Sequence, residues 1–268
     1  ITYGDWSSDV CSSDLIFGAG LVETPDDFGT RAPLPEHRDL LDWLAVDFME
    51  GGWSQKKLVR TIVTSATYRQ SSRVTPEALA RDPRNRLLAR GSRYRVEGEI
   101  VRDITLAASG LLDLTVGGPS VNPPAPDFLF VPPASYGPKP WHTSPESSYR
   151  RGLYTQWRRT SPYPSMITFD APSREFCTVR RIRTNTPLQA LTVANDAAFL
   201  EFSQGLAARV LRELPDGDVD SRVHRAYLLA LSREPSPSEL STLRGYFQRQ
   251  LGDLKDEPDR AKIGRAHV

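Results

Sequence analysis

Apolar residues recur every three or four positions along most of the chain, the spacing of helices packed by one face. "EHRDLLDWLAVDFMEGGW" puts Leu40, Leu41, Leu44 and Phe48 on one face with Trp43 beside it, and Gly51-Gly52 stops the run. Ser54 is placed to cap a second helix, "SQKKLVRTIVTSATYRQ", with Leu58, Val59, Ile62 and Val63 inward. Thr75-Pro76 and Asp82-Pro83 each set a capping side chain before a proline at the first helical position. "RYRVEGEIVRDITLAASGLLD" brings Val96, Ile100, Ile104, Ala107 and Leu111 to one helical spacing, and Gly117-Gly118 closes this first helical group, 36–116.

The pattern then fails. From 119 to 148 the chain is proline-rich with interspersed aromatics, including "NPPAPDFLFVPPASYGPKPWHTSPESS". Prolines this dense exclude a helix and most sheet positions, so a long loop is predicted. "RRGLYTQWRRT" and "SMITFDAP", joined by the turn-forming "SPYP", predict two short strands in a β element at 149–171. After the arginine-rich link "REFCTVRRIRTN", helical spacing returns over 186–255. Thr186 and Gln189 form a capping box with Pro187 first in the helix, and Asn195-Asp196 kinks or divides that helix. Further starts stand at "DVDSRVHRAYLLALSREP" and at Ser236-Pro237 with Glu239. The expected fold is mostly α: one helical domain over 16–262, with a small β element of two short strands and a long proline-rich loop.

The two ends change the picture. "IGRAHV", Ile263 to Val268, has a permitted coding whose reverse complement translates as Asp-Val-Cys-Ser-Ser-Asp, which is Asp9 to Asp14. Residues 1–15 and 263–268 are therefore expected to be translated sequencing adapter, outside any fold. With Ile rather than Met first, the chain is expected to be a piece of a larger gene from assembled reads. The whole chain carries 34 Lys and Arg against 33 Asp and Glu, net +1, and setting the ends aside makes it slightly more basic. That balance does not call for a nucleic-acid partner. No apolar run approaches the roughly 20 residues of a membrane span. With Cys11 set aside, Cys177 alone remains, which excludes an intrachain disulfide and a multi-cysteine zinc site. His37, His142 and His224 are scattered without ligand spacing, so no metal site is expected.

Several phrases, in order, carry a resemblance: "LLDWLAVDFMEGGWSQKKLVRTIVTSATYRQSS", "DPRNRLLAR", "RYRVEGEIVRDITLAASGLLD", "GGPSV", "YRRGLYTQWRR", "FDAPSREFCTVRR", "NTPLQALTVAND" and "AYLLALSREPSPSEL". From about Pro35 to about Gly252 the chain resembles the planctomycete-specific domain of unknown function that follows planctomycete cytochrome-c-type domains. The resemblance implies an exported or periplasmic parent with a c-type haem domain upstream. It implies no reaction and no catalytic residues. C-x-x-C-H is absent here, so no cofactor is expected in this chain itself.

The candidate chemistry centres on arginine. Arg150, Arg151, Arg158, Arg159, Arg174, Arg180, Arg181 and Arg183 fall within one short span. The planar guanidinium suits bidentate pairing with carboxylate, sulfate or phosphate. These arginines either pair with Glu97, Glu99 and Asp103, tying the β element to the helices, or receive an acidic or sulfated glycan or a partner domain. Trp141 can stack on a sugar ring or anchor the loop. Asp170 can act as an acid with Glu175 or close a turn before Pro172, and His142 is a lone imidazole. Cys177 is a thiol near arginines or a small buried residue.

The candidate ligand residues are thus Arg150, Arg151, Arg158, Arg159, Arg180, Arg181, Asp170, His142 and Trp141. The expected role is a non-catalytic binding or docking module of a larger exported, cytochrome-c-linked protein, with that protein's other domains as partners. The alternatives are an enzyme domain, hydrolytic or redox-associated and acting on polysaccharide, with a site near Asp170–Arg181, and a pure structural scaffold.

Overall fold

A computed structural model describes residues 16–24, 32–125, 141–144, 148–158, 162–174, 178 and 181–256. The chain forms two compact units, one of Ile1–Arg95 with Thr178–Arg180, the other of Val96–Cys177 with Arg181–Val268. The boundary after Arg95 falls inside the run 36–116 that the periodicity joins into one helical group.

The first unit holds α1 (Arg38–Glu50), α2 (Gln55–Thr64), α3 (Ala66–Arg69) and α4 (Pro76–Arg81). On α1 the buried positions are Leu41, Leu44, Ala45 and Phe48, while Leu40 faces outward. Leu44 and Phe48 pack on Leu58 and Ile62 of α2, with Ile16, Phe17 and Leu21 against them. Ser54 caps α2 by accepting from the Lys57 amide. The single helix expected over 54–70 is divided at Ser65, whose backbone is extended (φ −63°, ψ 150°). The Ser65 hydroxyl donates to Ile62 O at 2.7 Å and accepts from Tyr68 N at 3.2 Å, closing one helix and opening the next. Thr75 caps α4 as expected. Asp82 begins no helix at Pro83. Its carboxylate takes the amides of Arg86 and Leu87, both at 2.9 Å, and left-handed backbone at Asn85 and Leu88 keeps the segment in turns.

The second unit holds α5 (Gly98–Ser109), a single 3-10 turn (Gly152–Tyr154), α6 (Pro164–Thr168), α7 (Pro187–Asn195), α8 (Ala197–Glu213), α9 (Val219–Leu231) and α10 (Pro237–Asp256). Leu106 of α5, Phe169, and Ala198, Phe199 and Phe202 of α8 form its main core. A second cluster gathers Trp141, Tyr163 and Met166. Each fully buried large side chain contributes about 1.5–3 kcal/mol. The starts expected after 186 all form. Thr186 and Gln189 make the reciprocal capping box, Asp196 ends α7 and caps α8, and Asp218 caps α9.

The mostly α expectation holds, but the β element at 149–171 needs correcting. "GLY" within the first expected strand is a 3-10 turn, and "PSMIT" is α6. Only isolated bridges, Asp113 with Arg150 and Val121 with Thr155, occur among the described residues. Pro164 explains the second error, since its fixed φ opens a helix and outweighs the β-branched Ile167-Thr168. The first segment pairs singly with the 113–121 stretch and not with its expected neighbour. The central part of the proline-rich loop, 126–140, lies outside the described residues.

A second correction concerns α5. The spacing of Val96, Ile100, Ile104, Ala107 and Leu111 marked its inner face. The buried side instead carries Gly98, Arg102, Leu106 and Ser109, and Ile100, Ile104 and Ala107 are exposed.

Candidate functional site

Of the candidate residues of the second unit, Arg151 and Arg181 meet acids on or next to α5. Gly152 makes the approach possible. A Cβ there would lie 2.6 Å from the Glu99 carbonyl oxygen, so only glycine lets this turn rest on the helix backbone. The Gly152 amide donates to Asp103 Oδ1 at 2.6 Å, and Arg151 Nε donates to the other oxygen, Oδ2, at 3.0 Å. One carboxylate therefore holds a backbone amide and a guanidinium together. Arg181 Nη1 lies 2.8 Å from both Glu97 Oε2 and Glu99 Oε2, and Arg174 reaches Glu99 at 3.8 Å. Arg151, Arg174 and Arg181 thus meet Glu97, at the N-cap of α5, and Glu99 and Asp103 within it.

Arg150 has a different task. It is buried, stacks 3.7 Å over the Tyr154 ring, and donates to the carbonyls of Pro119 (2.9 Å), Thr115 (3.0 Å) and Gly117. Those acceptors span Gly117-Gly118, both in left-handed backbone. Arg150 therefore serves as a clamp for a turn that has no ladder of its own.

Trp141 is 3% exposed. It stacks on Tyr163 at 5.9 Å, donates from Nε1 to Pro123 O at 2.7 Å, and lies under Arg158 at 5.1 Å. It anchors the loop and offers no open ring face to a sugar. His142 is exposed, and its carbonyl accepts from Asn122 Nδ2 at 2.9 Å. Arg159, Arg180, Glu175 and Cys177 lie outside the described residues.

Asp170 sits in left-handed backbone (φ 61°) after α6. Its oxygens accept from Thr184 N at 2.7 Å and from Thr184 Oγ1 at 2.8 and 3.0 Å. Gln189, 1% exposed, donates to Thr168 O at 2.9 Å and to Thr184 Oγ1 at 3.2 Å, and touches Asp170 Oδ2 at 3.4 Å. The Asp170 side chain thus makes no local turn bond toward Pro172 among the described residues, and instead joins the end of α6 to Thr184 ahead of α7.

Two groups here have no sequence periodicity to announce them. Arg102 is 4% exposed, donates to Ser148 O, and lies 5.6 Å from the Phe202 ring centre. Burial lowers its pKa, opposed by Tyr163, Asp103 and Glu201. Glu201 accepts from the Tyr149 hydroxyl, and that bond pushes the phenol up to about 12. Tyr163 is also pushed up to about 12, here chiefly by burial, and donates to Pro124 O at 2.9 Å. An arginine on a helical stripe otherwise occupied by Gly98, Leu106 and Ser109 was the available signal, hidden because charged positions are assigned to solvent by default.

Among the described residues no group of three or more His, Cys, Asp or Glu could hold a metal ion, and no helix is long and apolar enough to cross a membrane. The sequence profile of PSD1, a protein family of unknown function (DUF1553), matches residues 14–247. The match spans most of the chain, which therefore belongs to that family. Comparison with curated proteins and with solved structures gives no match.

Proposed function

Taking PSD1 membership as the premise, we propose that this chain is a non-catalytic docking module whose arginine cluster is an internal clasp and whose contact surface is helical and apolar. One observation carries the reading. α7 buries its glutamine and exposes its leucines: Gln189 is 1% exposed, Leu188 58% and Leu191 60%. On α5, Ile100 and Ile104 face outward while an arginine faces in. Isolated exposed leucines are ordinary, but two helices that each bury a polar side chain while carrying large apolar ones outward are the arrangement of a covered face.

The occupant in this proposal is a neighbouring domain of a longer, exported, cytochrome-c-linked parent. Any haem belongs to that neighbour, since this chain has no C-x-x-C-H. An acidic or sulfated glycan at the arginine cluster is less favoured, because Arg150, Arg151 and Arg181 already hold carbonyls or carboxylates. A site near Asp170–Arg181 is less favoured for a related reason: both Asp170 oxygens hold the α6–α7 junction.

The test is titration calorimetry of the chain against the domain encoded beside it in the parent gene. Micromolar or tighter binding, weakened at least tenfold in Leu188→Glu/Leu191→Glu at unchanged melting temperature, is expected. Equal binding by that variant, or turnover of a polysaccharide by the isolated chain, would sink the proposal.

A further inference from the structure

A cleft of about 320 Å³ opens in the first unit, well away in sequence from the arginine clasp. That volume is at the lower end of small-molecule sites. Arg84, Arg90 and Arg93 line it beside Ser72, Leu79 and Tyr94, and among the described residues no aspartate or glutamate is in its lining.

The backbone beneath its basic wall is pinned at Asn85, Arg90 and Gly91. Asn85 Nδ2 donates to Arg90 O at 2.8 Å, and Asn85 Oδ1 accepts from Arg90 N at 3.3 Å. The Arg90 guanidinium donates to the carbonyls of Asp82 (2.9 Å) and Pro83 (3.2 Å). The Gly91 amide donates to Ser71 O at 2.9 Å, and a Cβ at Gly91 would stand 2.7 Å from Gln70 O. Asp82, just outside, has both carboxylate oxygens on the amides of Arg86 and Leu87.

Arg90 on this wall feels the nearby Asp82 carboxylate, whereas Arg84 and Arg93 have no carboxylate partner among the described residues. Among the described residues, no carboxylate lies within 4 Å of Arg84, Arg90 or Arg93, whereas Arg86 in the same loop reaches Glu23 at 2.6 Å and Glu36 at 2.9 Å. Arg84 and Arg93 make no side-chain hydrogen bond there, and Arg90 Nη1 is shut from solvent without a partner. A guanidinium left without an acceptor is costly when buried and strongly attractive to an oxyanion when open. Two such groups, Arg84 and Arg93, beside the carbonyl-bound Arg90 and with an aromatic and an aliphatic wall, suit an anion carried on a ring-sized body.

We infer that this cleft binds a small oxyanion-bearing molecule, a carboxylate, sulfate ester or phosphate ester, with Arg84 and Arg93 supplying the charge and Tyr94 and Leu79 the apolar wall. This is independent of the docking proposal, which concerns the other unit.

The experiment is calorimetric titration of the full chain at low ionic strength, where screening is weak. The probes are glucuronate, glucose 6-sulfate and glucose 6-phosphate, with glucose as the neutral control. At least one anion is expected to bind while glucose does not, and the order among the three names the preferred group. Arg84→Ala/Arg93→Ala, at exposed positions outside the loop's hydrogen bonds, is expected to keep the melting temperature and weaken binding about tenfold or more. Arg84→Lys/Arg93→Lys should recover only part of it, because lysine lacks the fork. Absence of binding by every anion to roughly 10 mM, glucose binding as well as the anions, or an unchanged affinity in the alanine variant would overturn the inference.

Discussion

Replacing Gln189 by leucine should destabilise the chain, although it swaps a buried polar residue for an apolar one of similar size. In the native structure the Gln189 amide nitrogen donates to Thr168 O, and its oxygen accepts from Thr186 N at 3.3 Å. Leucine fills the space but supplies neither bond. The orphaned Thr168 carbonyl costs about 1–3 kcal/mol, and loss of half the capping box about 0.5–1 kcal/mol. Leucine's greater hydrophobicity returns part of this, leaving about 2 kcal/mol. For a chain of this size that lowers the melting temperature by roughly 4–8 °C. The matching change on the other face, Leu191→Gln, should cost under about 0.5 kcal/mol, because Leu191 is exposed. Urea denaturation followed by circular dichroism gives both values. An ordinary amphipathic helix demands the opposite ranking. If Leu191→Gln proved the costlier variant, the assignment of inner and outer faces of α7 would be wrong, and the docking proposal would lose its support.

Other consequences follow from the same contacts. Arg181→Ala should cost about 1 kcal/mol, since its two carboxylates are partly solvated, and a double-mutant cycle with Glu97→Gln should return a coupling that falls with salt. Arg102→Ala should cost about 3 kcal/mol or more in chemical denaturation by opening space beside Phe202 and orphaning Ser148 O, whereas Arg102→Met keeps the packing and should cost clearly less. Tyr149 and Tyr163 both titrate near 12 in the folded chain against an ordinary 10, so their contribution is complete below pH 10 and is lost as pH rises through 12. Absorbance at 295 nm should show late-titrating phenols, and Glu201→Gln should bring Tyr149 down toward the ordinary range while leaving Tyr163 late. Glu213 and Glu239 are held near 2, each chiefly by an arginine hydrogen bond, so their contribution stands above the ordinary 4.5 and is lost as pH falls through 2, which an acid titration of the melting temperature reads.

The helix ends were the most legible part of the sequence, because a cap is a local device: Ser54, Thr75, Thr186, Asp196 and Asp218 need only the amides two or three residues ahead. Facing direction was less legible. On α5 the apolar spacing selects Ile100 and Ile104, but the element packed against that helix includes the 148–152 turn, whose backbone requires polar partners. Arg102 and Asp103 turn toward those groups and set the rotation of the helix. At 164–168 the apolar and β-branched content suggested a strand, yet Pro164 and the bond from Ala171 N to Met166 O give a helix and a turn. The pairing of the cluster with α5 acids was readable as one alternative. Which arginine takes carbonyls and which takes carboxylates was not, because that depends on long-range approach.

Why proline-rich and arginine-rich segments accompany each other in this chain follows from hydrogen-bond accounting. The described residues of 113–125 and 141–158 form neither helix nor ladder beyond two bridges and one 3-10 turn, so their carbonyls need donors from elsewhere. Proline worsens the shortage by supplying an acceptor and no donor. Side chains make it good: Arg150 for Thr115, Gly117 and Pro119, Trp141 for Pro123, Tyr163 for Pro124, and Arg102 for Ser148. Arginine is well suited because one planar group reaches several carbonyls at once. The side chains that look most like receptors for an external ligand are in this unit receptors for the chain's own carbonyls and carboxylates. The arginines of the first unit's cleft differ on that criterion: among the described residues Arg84 and Arg93 make no such bond, which leaves their guanidinium groups open to a ligand.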